Sequence, residues 1–340
     1  MNSFGRIFRL HIFGESHGES VGIVLDGCPA GLPLSAEDML PDLERRKGGK
    51  EKGTTPRQEA DYPFIRSGVF NGNTTGAPVM IYFENNNTRS GDYDRQRSIP
   101  RPGHADFVAH QKYGGNEDYR GGGHFSARLT TGLVAAGAVA KKLLRTLSSN
   151  FNVAARVIEI GGEPDTERGL QKAIEAKDSV GGLIECSVQG LPAGLGEPFF
   201  DSVESQLAHI LFAIPAVKGV EFGSGFAAAR MFGSEHNDAI EDITGRTRSN
   251  HAGGVVGGIS NGNELVFRLA IKPTASTPKE QNSLNWDTGQ TEDFAIRGRH
   301  DLCVALRAPV IVEAAAAVAL LDLVLLEERI PRIVVDNKKF

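Results

Sequence analysis

Apolar residues along this chain follow two periods, and the alternation between them marks its elements. Residues 6–12 (Arg-Ile-Phe-Arg-Leu-His-Ile) and 21–26 (Val-Gly-Ile-Val-Leu-Asp) have the short, β-branched, every-other-residue pattern of strands. So do 64–70 and 77–83, which flank a Gly/Asn/Thr turn, and 153–160 and 181–188 further on. A period near 3.6 takes over from Ser126, a candidate N-cap, with Leu129, Leu133, Ala136, Ala140, Leu143 and Leu147 on one face. A helix opens after Ser35, with Asp38 in the capping-box position. A polar one spans roughly 166–177, and another follows a cap at Asp201 with Glu204 three residues on. The stretch from Ala308 to Leu326 is apolar all round, carries Glu313 and Asp322, and reads as a buried core helix.

The pattern also repeats. Gly27-Cys28-Pro29-Ala30-Gly31-Leu32 returns as Gly190-Leu191-Pro192-Ala193-Gly194-Leu195, each after a strand and shortly before a capped helix. Both halves close with a basic, Gly-containing loop and an Ala-rich helix. We therefore expect an α+β fold of two related halves, at about 1–150 and 151–340 of one domain, whose helices lie between sheets.

Composition narrows the class. The chain has 340 residues, 40% hydrophobic and 23% charged, enough for a sizeable core, and a net charge of −5. No global positive field draws nucleic acid or an anionic membrane. Cys28, Cys186 and Cys303 are far apart and form no CxxC pair, so reduced thiols and a cytoplasmic location are expected. The start, Met1-Asn2-Ser3-Phe4-Gly5-Arg6, has no apolar leader-like run. No H-E-x-x-H or comparable metal-ligand spacing occurs, so no metal is expected.

Candidate chemistry gathers in loops, above all at 99–128, which reads as mostly non-helical, Gly-rich sequence with three arginines, His104, His110 and His124. Arg120-Gly121-Gly122-Gly123-His124-Phe125-Ser126-Ala127-Arg128 exposes its backbone N–H groups ahead of a helix N-terminus, an arrangement that suits an anion. Gly14-Glu15-Ser16-His17-Gly18 and Arg101-Pro102-Gly103-His104 each present a histidine, a side chain that titrates near neutrality. Glu44-Arg45-Arg46-Lys47-Gly48-Gly49-Lys50-Glu51-Lys52-Gly53 reads either as a solvated charge run or as a flap whose arginines close over an anion. Ser249–Ser260 and Lys272-Pro273-Thr274-Ala275-Ser276-Thr277 mix glycines, hydroxyls and a cation, as a flat polar ligand requires, though composition alone names no cofactor. Together these features describe binding of an anionic substrate with acid–base assistance.

Five blocks, Gly14–Gly18, Arg101–Asp106, Asp118–Gly123, Ser249–Gly254 and Gly298–Cys303, resemble in sequence and order the signature blocks of the chorismate synthase family. The resemblance implies a β-α-β sandwich assembled as a homotetramer. It implies elimination of phosphate from 5-enolpyruvylshikimate 3-phosphate to give chorismate, with reduced FMN and no net redox change. It places His17 near the departing phosphate and His104 near the flavin as general acids, with Ser16, Ser126 and Asp301 supporting proton relay. It assigns flavin contacts to His124, Phe125, Ser126, Ala216, Gly257, Lys272, Pro273, Thr274, Ala275, Ser276 and Arg299. Substrate contacts fall to Arg45, Arg46, Lys52, Arg120 and Arg128. With no dinucleotide fingerprint in the chain, an external system, NADPH-linked being one option, is expected to reduce the flavin. The chain departs from the common family pattern at His124-Phe125, at Lys52 and at Leu302. A flavin oxidoreductase acting on an anionic substrate, and a polyanion-binding scaffold without activity, are the alternative readings.

Overall fold

The computed structural model describes residues 2–49, 52–55, 57, 59–87, 97–296 and 300–334. Its architecture is two antiparallel sheets with two long helices between them. The first sheet runs Ser3–Phe4, Arg9–Gly14, Ser20–Asp26, Val79–Glu84, Phe64–Ile65 in spatial order. The second runs Val217–Phe222, Leu265–Ile271, Gly182–Gln189, Asn152–Ile160. Helix Thr130–Leu147 packs on the first sheet, helix Pro309–Leu326 on the second, and the two pack on each other.

Both halves share one connectivity. In chain order each has two paired strands, a short helix (Leu40–Arg46 or Val203–Leu211), an edge strand, a fourth strand and a long helix. In both sheets the fourth strand inserts between the second and third.

Registers place apolar side chains toward the helices. Ile23 pairs with Ile81 and Leu25 with Val79 in the first sheet, Phe267 with Cys186 in the second, and all are buried. The helices approach closely because residues at their crossing are small. A side chain at Gly137 would fall inside van der Waals contact of the Cα and Cβ of Ala314. Pro309–Leu326 has a mean hydropathy of 2.3 and is long enough to cross a membrane, yet 89% of it is buried within the fold.

Its two carboxylates each have structural work. Glu313 accepts both guanidinium N–H groups of Arg45 at 2.7 Å, Lys141 Nζ at 2.9 Å and Ala155 N at 3.0 Å. Burial opposes its ionisation, but these donors hold its pKa below the ordinary value. Asp322 accepts the backbone N–H groups of Arg6, Ile7 and Phe8, each at 2.8 Å. That acceptor explains one difference from expectation. Residues 6–8 bend around Asp322, so the strand expected at 6–12 forms at Arg9–Gly14.

Three further readings are corrected. The cap expected at Asp201 belongs to Ser202, whose Oγ accepts from Ser205 N at 3.0 Å, because Phe199–Asp201 already forms a separate 3₁₀ turn. The segment 99–128, expected to be largely non-helical, contains helix Asp106–Tyr113, ended by Gly114. The pair 64–70 and 77–83 resolves into Phe64–Ile65 on Val79–Glu84, plus a separate hairpin, Val69–Phe70 with Asn73–Thr74. Ser126 does cap as expected: its Oγ accepts from Arg128 N at 3.2 Å, and a short 3₁₀ turn leads into the long helix.

Candidate active site

The glycine run is a turn built for close approach. Gly121 and Gly122 sit at φ +60° and +79°. A Cβ on Gly121 would lie 2.6 Å from His17 Nε2 and 3.1 Å from Ser16 Oγ. One on Gly122 would lie 3.2 Å from His104 Cε1 and 3.3 Å from its Nε2. Two histidines 87 positions apart therefore pack against consecutive residues of one turn, which has no side chains to keep them away.

Each histidine is held from behind. His104 Nδ1 lies 2.6 Å from Asp106 Oδ1, fixing which ring nitrogen faces outward. Arg101 donates Nε and Nη2 to Asp106 at 2.7 and 2.8 Å and Nη1 to Ser276 Oγ at 3.2 Å. Burial would raise the Asp106 carboxyl, but hydrogen bonds from Arg101 and His104 outweigh it and keep it below its usual value. His17 is buried beside Ser16, whose backbone N–H donates to Gly123 O at 3.1 Å.

Next to the turn lies a cavity of about 910 Å³. Its walls carry Arg46, Lys47, Arg57, Arg101, Arg128, Lys218, Lys272 and Arg307 against Glu44, Glu59, Asp61 and Asp301. The excess of cations gives a field suited to a multiply charged anion. Burial and the neighbouring charge of Lys218 lower the Lys272 pKa from its ordinary value. Asp301 accepts from Thr55 N at 2.8 Å and from Arg307 at 3.0 Å.

The cavity wall brings together His104, Asp301, His124, Phe125, Ser126, Ala216, Lys272, Pro273, Thr274, Ala275 and Ser276 from the sequence-derived set, along with Arg46 and Arg128. Ser16 joins its edge through Arg57, a wall residue that donates to Ser16 Oγ at 3.3 Å. Ala216 holds an unusual φ of +76° there.

Other expected residues stand elsewhere. Arg45 faces Glu313 and is not on the wall. Arg120 pairs with Asp118 at 2.8 Å and Lys52 is exposed, both outside the lining. Gly257 lies in the turn between Val255–Val256 and Ile259–Ser260, also outside it. Arg299 falls outside the described residues.

Four charged wall residues without a role assigned from sequence, Arg57, Glu59, Asp61 and Arg307, matter most here. Arg57, Glu59 and Asp61 are charges at alternate positions in a segment without regular structure, a signal too ordinary to single out. Buried Asp61 pairs with Arg46 at 3.2 Å and with Arg128, so both arginines are anchored. Burial and the charges of Arg307 and Arg128 press the Arg46 pKa down, against the pull of Asp61. Arg307, the fourth, bonds Arg46 O at 2.9 Å and Asp301, joining the flap side of the cavity to the second half.

Fold and site together define an α+β fold whose cation-lined cavity, beside a pair of histidines, suits a polyanionic small molecule. A sequence profile described as chorismate synthase matches residues 8–325. A chorismate synthase of Chitinophaga pinensis is 67% identical over 333 residues, covering 98% of this chain and 99% of its own. Those of Dehalococcoides mccartyi and Korarchaeum cryptofilum are 45% and 44% identical, over 98% and 94% of this chain and 99% and 96% of theirs. A crystal structure of a chorismate synthase matches with a TM-score of 0.72 at 28% identity, covering 95% of this chain and 93% of its own. The chain belongs to the chorismate synthase family. It is a carbon–oxygen lyase of the shikimate route to aromatic amino acids.

Proposed function

We propose that this protein eliminates phosphate from 5-enolpyruvylshikimate 3-phosphate to give chorismate, with reduced FMN bound in the 910 Å³ cavity. One observation carries the reading: His17 and His104 meet the same glycine turn, with His104 on the wall of a cation-lined cavity and His17 outside that lining, next to Ser16, which the wall residue Arg57 bonds. The substrate has two carboxylates and a phosphate, so convergent arginines and lysines match its charge.

The residues fit a flavin. Thr274 Oγ1 is buried on the cavity wall with no hydrogen-bond partner, which leaves it open to a polar ligand edge. Lys272–Ser276 and His124–Ser126 would hold the flavin. When bound, reduced flavin would supply electron density for departure of the allylic phosphate, which would account for a redox cofactor in a redox-neutral elimination. His17 protonates the leaving phosphate. His104, oriented by Asp106, holds a proton toward the flavin. Asp301 and Ser126 support proton movement at the cavity wall. Arg57, Lys47 and Arg307 bind the substrate anion, and Arg46 and Arg128, fixed by Asp61, set the field around it.

In a homotetramer Gly257, which stands outside this chain's own cavity lining, would serve the flavin of a neighbouring copy. Phe199, Phe200, Phe226, Phe232 and Ile243 are strongly exposed on the second half and suit burial between subunits. Light scattering should give four times the monomer mass. The reading places the enzyme in the cytoplasm, with its flavin reduced by an external system.

The test is anaerobic phosphate release from the substrate with dithionite-reduced FMN. Chorismate and phosphate should form together over many turnovers with the flavin still reduced. Flavin oxidised in step with product would favour an oxidoreductase instead. His17→Ala and His104→Ala should each lower turnover by about 10²-fold, the usual loss for an acid–base group. Wild-type rates in both would remove them from the mechanism.

A further inference from the structure

Behind His104 lies a second cavity, of about 610 Å³, sharing His104, Ala105 and Phe125 with the first. Its character is opposite. Its acidic wall residues are Asp106, Glu117, Asp118 and Asp287, and its arginine is Arg97. Asp106 and Asp118 are neutralised by Arg101 and Arg120. Among the described residues, Glu117 and Asp287 have no Lys or Arg partner. Asp287 accepts from the Ser98 hydroxyl. Glu117 Oε1 lies 3.2 Å from His110 Nδ1, while its Oε2 is buried with no hydrogen-bond partner.

Aromatic rings share this wall. Trp286 stacks on His110, the residue that meets Glu117, ring centroids 4.6 Å apart and planes 20° from parallel. Tyr119 and Phe125 line the remainder. Trp286 sits where the strands Gln281–Asn285 and Gln290–Phe294 turn, and its backbone N–H donates to Ser98 O at 3.1 Å. A buried acceptor in a cavity lined by flat rings is the chemistry that recognises a planar group carrying a positively charged donor. The substrate cavity, with its cationic walls, repels that class of molecule.

We propose that this second cavity is a binding site for a small aromatic cation, its ring against Trp286 and its ammonium on Glu117. The proposal does not depend on the reaction assigned to the first cavity.

Trp286 is the single tryptophan of the chain, so its emission reports on this cavity alone. Purified full-length protein is titrated with phenethylamine, protonated at neutral pH, and separately with hydrocinnamate, an anion of similar size. Phenethylamine should produce a saturable change in tryptophan emission, and hydrocinnamate should not. Glu117→Gln removes the charge and keeps the shape, so it should weaken phenethylamine binding by about tenfold or more. Asp287→Asn, the second variant should the first not fold, should weaken it several-fold. No saturable change with phenethylamine overturns the proposal. So does equal binding of hydrocinnamate, or undiminished affinity in the folded variants.

Discussion

Substitution of Gly121 by alanine tests whether the glycine turn sets the position of His17. The new Cβ would lie 2.4 Å from His17 Cδ2, whereas ordinary contact begins near 3.4 Å. The ring must therefore retreat by about 1.0 Å, the difference between those distances. Misplacement of a reacting group by about 1 Å can cost roughly 10²-fold in rate, or about 2.7 kcal/mol of activation free energy. The left-handed backbone adds a separate stability cost of roughly 1–2 kcal/mol for a residue with a Cβ. Gly162→Ala isolates that cost, because Gly162 has φ +82° and nothing within 4 Å of the added atom. Both variants should lose similar stability in urea unfolding. Only Gly121→Ala should lose turnover, by about 10²-fold in anaerobic kcat, with KM changed far less. If the two variants show the same kcat, the turn does not position the histidine and the reasoning fails.

Other outcomes follow from the same structure. Asp106→Asn should slow turnover by freeing His104. Because the folded pKa of Asp106 is depressed, its contribution to stability is fully present above the unfolded value of about 4 and is lost as pH falls below it. The stability gap between wild type and the variant, read by urea unfolding across pH, should therefore narrow below about pH 4. Arg45→Ala strips Glu313 of its bidentate partner and should destabilise the fold by about 3 kcal/mol at most, since Arg45 is half exposed, while leaving substrate KM unchanged. A large rise in KM without loss of stability would instead restore Arg45 to the substrate. Gly137→Ala should force the two central helices apart and cost about 1–3 kcal/mol, measured by denaturant unfolding.

Local order was legible wherever the residues themselves dictate it. The strand periods, the Ser126 cap, the helix Thr166–Ala176 and the loop glycines are set by backbone preference and by the spacing of apolar side chains. The repeated Gly-x-Pro-Ala-Gly-Leu segment raised the expectation of two related halves. Pairings between distant residues were not legible, because a charge does not encode its partner. Arg45 and Arg46 are neighbours in a basic run, yet Glu313 draws one onto the core helix and Asp61 anchors the other in the cavity wall. Glu313 and Asp322 looked like interruptions of an apolar stretch until the fold supplied their donors. The glycines announced a turn, but only packing decided that His17 and His104 would share it. Short-range sterics wrote the elements into the chain, and long-range desolvation chose which charges had to meet.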